Sequence, residues 1–372
     1  MAGILKAYKT ELDLNNKQRT LLVQYCGTAR LIYNWALADH IERHRQGLTT
    51  NMYEQKKRFN ALKEEEFPWI YDIAYTITES AFANCDRAFQ NFFRRVKAGE
   101  KNVGFPKFKS RKYGLGNFTL RGSIHVQKDR VQLPRIGSVR LKEDNYLPVD
   151  SKNLKILSAT VSERAGHWFV SLQVESPDIP VQKKGNGVIG VDIGVKILAT
   201  TSNGKVFENP KSIYRFERQL AHVQRELCRR QKGSSNRAKT KRKVAKLHYH
   251  IANVRRFALH EVSNYLAVKA KPEVVVLEDL NVAGMLQNRH LSKAIADASF
   301  GELRRQLEYK CQWYGVKLVV ADRFYPSSKT CSSCGAVKPL LKLSERTFVC
   351  ESCGVIVDRD FNASLNLARL AQ

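Results

Sequence analysis

Three acidic residues stand at positions where a buried carboxylate is energetically unfavourable. Asp192 lies inside the apolar run VIGVDIG, Glu278 ends the run VVVLE, and Asp360 opens the segment DRDFNASLNLA. An unpaired carboxylate in such a place needs a cation or a hydrogen-bonding partner. Three carboxylates gathered at one point of a sheet can hold two Mg²⁺ ions, about 4 Å apart, which activate a water on one side of a phosphodiester and stabilise the leaving oxygen on the other. The pattern therefore predicts a two-magnesium site for phosphodiester hydrolysis.

Each acid also has a simpler explanation when it is considered alone. Asp192 could cap a turn, Glu278 could be a surface acid at a strand end, and Asp360 could be a helix N-cap. Neighbouring acids offer alternative ligands: Asp279, Asp322 and Asp358. Strand alternation would turn Asp279 to the face opposite Glu278. The joint occurrence of the first three acids in one α/β region favours the triad of Asp192, Glu278 and Asp360.

Four cysteines form two matched pairs. Cys331-x2-Cys334 and Cys350-x2-Cys353 are separated by 15 residues, and a glycine follows each pair. This spacing predicts a tetrahedral Zn²⁺ site with four thiolates, and the alternative of disulfides is disfavoured in the cytoplasm. Because the cysteines fill all four positions, we expect the zinc to be structural. We expect it to fasten a loop between the last strand and the final helix and so to help position Asp360.

The charge balance predicts a polyanionic partner. The chain of 372 residues has 63 Lys and Arg against 35 Asp and Glu, for a net charge of +28. Nucleic acid is the commonest polyanion, although a basic ribosome-type protein or a membrane-surface protein has a similar balance. No apolar run approaches the roughly 18 residues of a spanning helix, and the charged N-terminus does not resemble a signal peptide. We therefore expect a cytoplasmic protein without a membrane partner.

Two basic surfaces are candidates for phosphate contact. Residues 211–256 contain 15 Lys and Arg and only two acids, and they read as two helices, about 211–231 and 237–270, each with an apolar stripe. A solvated charged face usually mixes signs, so the single sign favours backbone contacts, which position a nucleic acid without reading its sequence. The residues selected there are Arg229, Arg230, Arg237, Lys239, Lys241 and Arg242. The second candidate surface comprises Arg94, Arg95, Lys107, Lys109, Arg111 and Lys112.

The elements that must position these residues follow from hydrophobic periodicity. A strand at 4–12 precedes three helical runs, at about 16–46, 52–65 and 72–98. Short alternating runs between 105 and 185 predict a small antiparallel barrel, into which the first strand pairs, with the helices as an insertion. From residue 187 onward, strands at 187–201, 273–278 and 316–322 alternate with helices, including about 299–314 and 360–371. That alternation predicts an α/β domain.

These motifs together resemble one family. GVDIGVK, VVLEDL, PSSKTCSSCG and DRDFNASLNLA, with YNWAL, FQNFFRRVK and VGFPKFKSR earlier in the chain, resemble TnpB, the transposon-encoded OrfB family. This family comprises compact relatives of type V CRISPR effector nucleases, and the resemblance covers nearly the whole chain. GxDxG or CxxC alone would be weak, but the combination is highly specific.

The resemblance implies a multidomain α+β architecture. Residues 1–12 and 106–185 would form an oligonucleotide-binding-like β-barrel, the wedge domain, and residues 13–105 a helical recognition domain. Residues 186–325 and 355–372 would form a RuvC/RNase H-like α/β nuclease domain with a zinc-ribbon insertion at 326–354. Asp192, Glu278 and Asp360 would be its metal-binding triad.

The resemblance also implies a function. The protein would be an RNA-guided DNA endonuclease, a monomer in a ribonucleoprotein near the nucleoid. Its guide RNA would come from the transposon end, and its target would be double-stranded and single-stranded DNA beside a short target-adjacent motif. Tyr53, Tyr75 and Thr119 fall near the motif-reading positions. Two other functions stay open: a binding-only protein such as a guided repressor, and a transposase that joins DNA strands itself.

Overall fold

The structure is a computed structural model that describes residues 4–148, 154–176, 185–342 and 344–371. The chain divides into two compact units, Met1–Asp178 and Ile179–Gln372. The predicted boundary between the wedge and nuclease domains, at 185 and 186, adjoins residues 177–184, which lie outside the described residues. No helix of the described segments combines the length and apolar character needed to cross a membrane.

The first unit combines long helices with antiparallel strands. Its helices are α1 (Asn16–Arg45), α2 (Met52–Glu66) and α3 (Tyr75–Lys97), with a 3₁₀ turn at Pro68–Asp72. Its strands are β1 (Ile4–Asp13), β2 (Asn117–Leu120), β3 (His125–Val126), β4 (Arg130–Leu133), β5 (Gly137–Leu141), β6 (Lys155–Arg164) and β7 (His167–Ser176). The third predicted helix therefore starts later than expected, because Pro68 initiates a separate turn before it.

The strands form one sheet in the order β2-β6-β7-β1-β5-β4-β3. The pairing of β1 with both β7 and β5 confirms that the first strand joins the later ones, so that the helices are an insertion. In the described ladder β2 and β3 are the two ends of the sheet, so the predicted small antiparallel barrel is not closed by a pairing of these two strands. The inward residues of its strands nevertheless share one core.

Helices and strands of the first unit are not independent of each other. Leu22 and Tyr25 of α1 and Ile77 of α3 are buried in the same cluster as Phe118 and Val170 of the strands. A second cluster, which includes Phe59 and Phe82, joins the three helices farther from the sheet. The predicted helical domain thus shares its core with the predicted wedge.

The second unit has an α/β architecture. Its strands are β8 (Val188–Ile193), β9 (Ile197–Thr201), β10 (Val206–Glu208), β11 (Val274–Leu277), β12 (Lys317–Val320), β13 (Thr347–Val349) and β14 (Ile356–Asp358). Its helices are α4 (Ser212–Arg229), α5 (Ser235–Asn264), α6 (Val282–Gln287), α7 (Ser292–Ala298), α8 (Phe300–Tyr314) and α9 (Arg359–Arg369). A π-helical turn, Tyr265–Lys269, ends the long basic helix where a continuous α-helix was predicted.

The main sheet of this unit has the order β10-β9-β8-β11-β12, and β13 and β14 form a separate hairpin. Strands β8, β11 and β12 are parallel, whereas β9 and β10 are antiparallel to their neighbours. One face packs on α5 and α8 through Val191 and Val275, and the other packs on α9 through Val274 and Val276. The sheet is therefore covered on both faces, which explains its nearly continuous apolar strands.

A candidate carboxylate active site and a four-cysteine metal site

Two of the predicted carboxylates lie side by side on adjacent strands. Val191 of β8 is the register partner of Leu277 of β11 in a parallel pair. Asp192 directly follows Val191, and Glu278 directly follows Leu277. Both acids therefore lie at the carboxyl ends of their strands. The backbone N–H of Ile193 donates to Glu278 Oε1 at 3.2 Å, which orients that carboxylate toward β8.

The third carboxylate arrives with α9, and a glycine sets its distance. A Cβ on Gly190 would lie 2.0 Å from the Ser364 carbonyl oxygen and 2.4 Å from the Ala368 backbone nitrogen, so only glycine lets α9 approach so closely. Gly190 and Asp192 point to the same face because side chains alternate along a strand. Asp360 precedes Ser364 by one helical turn, which carries its carboxylate toward Asp192.

The electrostatics of the three acids agree with this convergence. Burial raises the pKa of Asp192 well above its ordinary value, and the charges of Glu278 and Asp360 raise it further. Burial raises the pKa of Glu278 to about 7, with a smaller increase from Asp360. Arg346 approaches Asp360, with Nη1 3.7 Å from Oδ1. The cluster is thus short of positive charge for three ionised carboxylates.

The alternative ligands make other contacts. Asp279 faces away from Glu278, as strand alternation predicted, and accepts hydrogen bonds from Arg304 at 2.9 Å and Arg323 at 2.6 and 3.0 Å. Asp322 caps a turn by accepting from the Phe324 N–H at 2.8 Å. Asp358 is the N-cap of α9, accepting from the N–H groups of Asp360 and Phe361 at 2.9 Å. The N-cap explanation therefore belongs to Asp358 and leaves the carboxylate of Asp360 available to the cluster.

The donor set of the cluster suits Mg²⁺. Only oxygen ligands converge there, and the raised pKa values of Asp192 and Glu278 mean that ionisation of both needs a compensating cation. Among the described residues, only the four cysteines bring three or more ligand atoms within 4.8 Å of one another. The ligand atoms of the three carboxylates therefore do not all lie within 4.8 Å of one another.

The four cysteines converge as predicted. Cys331 Sγ lies 3.7 Å from Cys353 Sγ, and Cys334 Sγ lies 3.6 Å from Cys350 Sγ. Zinc–sulfur bonds of about 2.3 Å in a tetrahedron place the sulfurs about 3.8 Å apart, so the spacing fits Zn²⁺. The Cys353 N–H donates to the Cys350 sulfur and lowers the pKa of that thiol to about 6, which favours the ligating thiolate. Gly335 and Gly354 take positive φ values, +80° and +74°, at equivalent turns of the two pairs.

The segment 326–354, which carries the four cysteines and forms the cysteine module, is joined to α9 by two buried asparagines. Neither asparagine was predicted from the sequence as a functional residue. Asn362 donates from Nδ2 to the Thr330 carbonyl at 2.7 Å and accepts from the Ser332 N–H at 2.8 Å. Asn366 donates to the carbonyls of Ser327 at 2.8 Å and Thr330 at 2.6 Å. Their i, i+4 spacing in DRDFNASLNLA was the available signal. The contacts are those expected of a module that positions Asp360.

The first basic surface lies on α4 and α5, where the predicted hairpin forms. Ser212 Oγ and the Ile213 N–H donate to the buried Asp297, which also pairs with Arg255 at 2.9 Å and so links α4, α5 and α7. Arg237 donates to the carbonyls of Leu227 and Arg230, and therefore closes the turn of the hairpin. Arg230 forms an ion pair with Glu226 at 3.0 Å. The selected residues other than Arg237 are exposed: Arg229, Arg230, Lys239, Lys241 and Arg242.

The residues selected in the first unit lie on α2, α3 and β2 and in the segment that follows α3. Tyr53 is exposed on α2, and Tyr75 is exposed at the start of α3, where its hydroxyl donates to Glu79 at 3.2 Å. The Thr119 hydroxyl pairs with that of Thr160 across β2 and β6 at 3.0 Å. Of the second basic surface, Arg95 pairs with Glu100 and the Lys109 ammonium lies over the Tyr33 ring at 3.8 Å. Its remaining members are exposed: Arg94, Lys107, Arg111 and Lys112.

Comparison with protein-family models gives three matches. "Probable transposase" (OrfB_IS605) matches residues 171–289, and "Cas12f1-like, TNB domain" matches residues 300–367. "Helix-turn-helix domain" matches residues 1–49, where the described residues form strand β1 and the single long helix α1. The first two matches cover the segments that carry the carboxylates and the cysteines.

Curated relatives cover nearly the full chain. A protein of Streptomyces pristinaespiralis named "Putative RNA-guided DNA endonuclease" is 35% identical over 99% of this chain and 89% of its own length. "Putative RNA-guided DNA endonuclease InsQ" of Escherichia coli K12 is 31% identical over 98% of this chain and 91% of its own length. The fold resembles a chain of the Cas12f1–sgRNA–target DNA complex, with a TM-score of 0.57 at 14% identity, covering 98% and 99% of the two chains.

The architecture and the cysteine cluster define a multidomain α/β protein with a zinc-ribbon-like cluster of four cysteines. These structural features, the family-model matches and the similar relatives together identify the family of this chain. The chain belongs to the OrfB_IS605 transposase family and is TnpB-like.

Proposed function

We propose that this protein is an RNA-guided DNA endonuclease that hydrolyses phosphodiester bonds with Mg²⁺ held by Asp192, Glu278 and Asp360. The observation that carries the proposal is the convergence of these acids on the α9 face of the sheet, in a chain whose relatives are named RNA-guided DNA endonucleases. A protein that only binds nucleic acid has no need for three mutually repelling carboxylates.

The residues would divide the work as follows. Bound Mg²⁺ would supply Lewis-acid activation of a water and stabilisation of the leaving oxygen. Asp192 and Glu278 would hold the ions from two adjacent strands of the sheet. The hydrogen bond from the Ile193 N–H would keep the Glu278 carboxylate oriented. Asp360 would complete the site from α9, whose position depends on Gly190 and on the contacts of Asn362 and Asn366 with the cysteine module. The cysteines would hold one structural Zn²⁺.

The partners follow from charge and from the relatives. A guide RNA from the transposon end would contact the basic surfaces of α4 and α5, while pairing with target DNA would supply sequence specificity. Tyr53, Tyr75 and Thr119 are candidates for reading a short target-adjacent motif. We propose that the protein acts as a monomer in this ribonucleoprotein, near the nucleoid.

The first test is to express the chain with the DNA that flanks its gene and to sequence the RNA that copurifies. The purified particle is then incubated with Mg²⁺ and plasmids that carry the guide match beside randomised bases. One enriched RNA and cutting beside a defined motif would support the proposal. A bound RNA without cutting would indicate a repressor, and strand-transfer products without RNA would indicate a transposase.

A further inference from the structure

A large cavity of the second unit lies away from the carboxylates. Its volume is about 620 Å³, and its lining residues come from the β9–β10 hairpin, α5, the π-helical turn and α8. These helices cover the face of the sheet opposite the one that carries Asp192 and Glu278. Nothing in the proposed cleavage mechanism uses this cavity.

The cavity contains a buried lysine without an anionic partner. Lys310 of α8 is 8% exposed, and its ammonium donates to Ser263 Oγ at 2.8 Å and to the His260 carbonyl at 3.4 Å. Within the described residues, no carboxylate forms an ion pair with it. Burial lowers its pKa to about 8. A buried charge that meets only neutral acceptors is unfavourable, and an uncharged side chain of similar volume would pack there at lower cost.

The other groups at the cavity extend the same chemistry. Lys205 and Lys269 add positive charge against one carboxylate, that of Glu261. Phe257, which is 67% exposed, also lines the cavity. Ammonium groups and an exposed ring are the two elements that bind a nucleotide, since they neutralise a phosphate and stack a base.

We propose that this cavity is a phosphate site, in which Lys310 binds a backbone phosphate of a nucleic-acid strand whose base stacks on Phe257. The anion would supply the charge compensation that the protein itself omits. The inference goes beyond the proposed cleavage function, because it does not depend on the carboxylates. A purely structural role for Lys310 predicts the opposite stability effect, which makes the two explanations separable.

The test compares the variants Lys310→Met and Lys310→Arg with the control Lys317→Met. Lys317 is an exposed lysine of the same unit and lies outside the cavity. All three variants are made in the cleavage-deficient background Asp192→Asn. The melting temperature is measured with and without inorganic phosphate and with adenosine monophosphate. Affinity for 12-residue oligouridylate and oligothymidylate is measured as a function of salt, with Phe257→Ala included.

In phosphate-free buffer we expect Lys310→Met to melt above the parent and to lose the stabilisation by phosphate, whereas Lys310→Arg keeps it. We expect strand affinity to fall about tenfold in Lys310→Met, with a shallower salt dependence, and Lys317→Met to match the parent. The RNA and DNA oligonucleotides distinguish which strand occupies the site.

Two results would count against the inference, and a third would separate it from the cleavage proposal. A lower melting temperature for Lys310→Met, with equal phosphate stabilisation of both proteins, would overturn the phosphate site. Protection by adenosine monophosphate with unchanged strand affinity would keep the phosphate site but overturn its assignment to a strand. If the unmutated particle never cuts DNA while the Lys310 effects appear, the cleavage proposal fails and this inference stands.

Discussion

Replacement of Gly190 by alanine should separate cleavage from binding. The new Cβ would lie 2.0 Å from the Ser364 carbonyl oxygen, about 1 Å inside the closest tolerable contact, so α9 must move away by about that distance. Asp360 moves with the helix. A misplacement of 1 Å in a catalytic group can reduce the rate about 100-fold, and overpacking costs about 1–3 kcal/mol of stability. We therefore expect cutting to fall by about 100-fold while RNA binding is retained.

The assay is single-turnover cleavage of a guide-matched plasmid, performed well below the melting temperature of both proteins. Gly301→Ala is the matched control, because a Cβ on Gly301 in α8 has no heavy atom within 4 Å and should stabilise the helix by up to about 1 kcal/mol. Cleavage by Gly190→Ala at the rate of the parent would refute the claim that close packing of α9 positions Asp360.

Three further predictions concern the carboxylates and the cysteine module. In magnesium-free buffer, Glu278 should lower the stability by about 3 kcal/mol as pH rises from about 4.5 to 7, because its folded pKa lies above its unfolded value. In denaturant titrations Glu278→Gln should remove this share of the pH dependence and leave the share of Asp192, whose pKa is also raised. Cys350→Ser should lower the zinc content measured by mass spectrometry from one ion per chain to below one, and a retained full equivalent would contradict the four-thiolate site. Asn366→Leu should cost about 2 kcal/mol in thermal unfolding, because the carbonyl of buried Ser327 loses its donor and that of Thr330 keeps only Asn362; an unchanged melting temperature would exclude this role.

The carboxylate cluster was predictable because strand acids stand out against apolar neighbours. The alternation argument also separated Glu278 from Asp279, and the contacts of Asp279 with Arg304 and Arg323 confirm it. The sulfur positions followed from spacing alone, since CxxC with a following glycine has few other geometries. In both cases the signal is local, and short-range backbone geometry decides it.

The features that sequence reasoning missed are long-range contacts. In the sequence Gly190 is an ordinary strand glycine, and only its close contact with α9 shows why glycine is needed there. Asn362 and Asn366 are ordinary polar helix residues in the sequence, and only their hydrogen bonds to Thr330 show their role. The sheet of the first unit is similar, because its closure depends on whether β2 and β3 meet across the molecule. Local periodicity carries no information about these distances.

The central claim is that Asp192 belongs to a magnesium-dependent site that cuts DNA under RNA guidance. The most direct measurement is the cleavage of one plasmid by the RNA-loaded protein and by Asp192→Asn and Asp322→Asn, with matched and scrambled guide RNA in Mg²⁺. Asp322 is the control because it caps a nearby turn, and asparagine keeps that acceptor. We predict cutting by the unmutated protein and Asp322→Asn only with the matched guide, and none by Asp192→Asn. Cutting by Asp192→Asn, or cutting that ignores the guide sequence, would contradict the account.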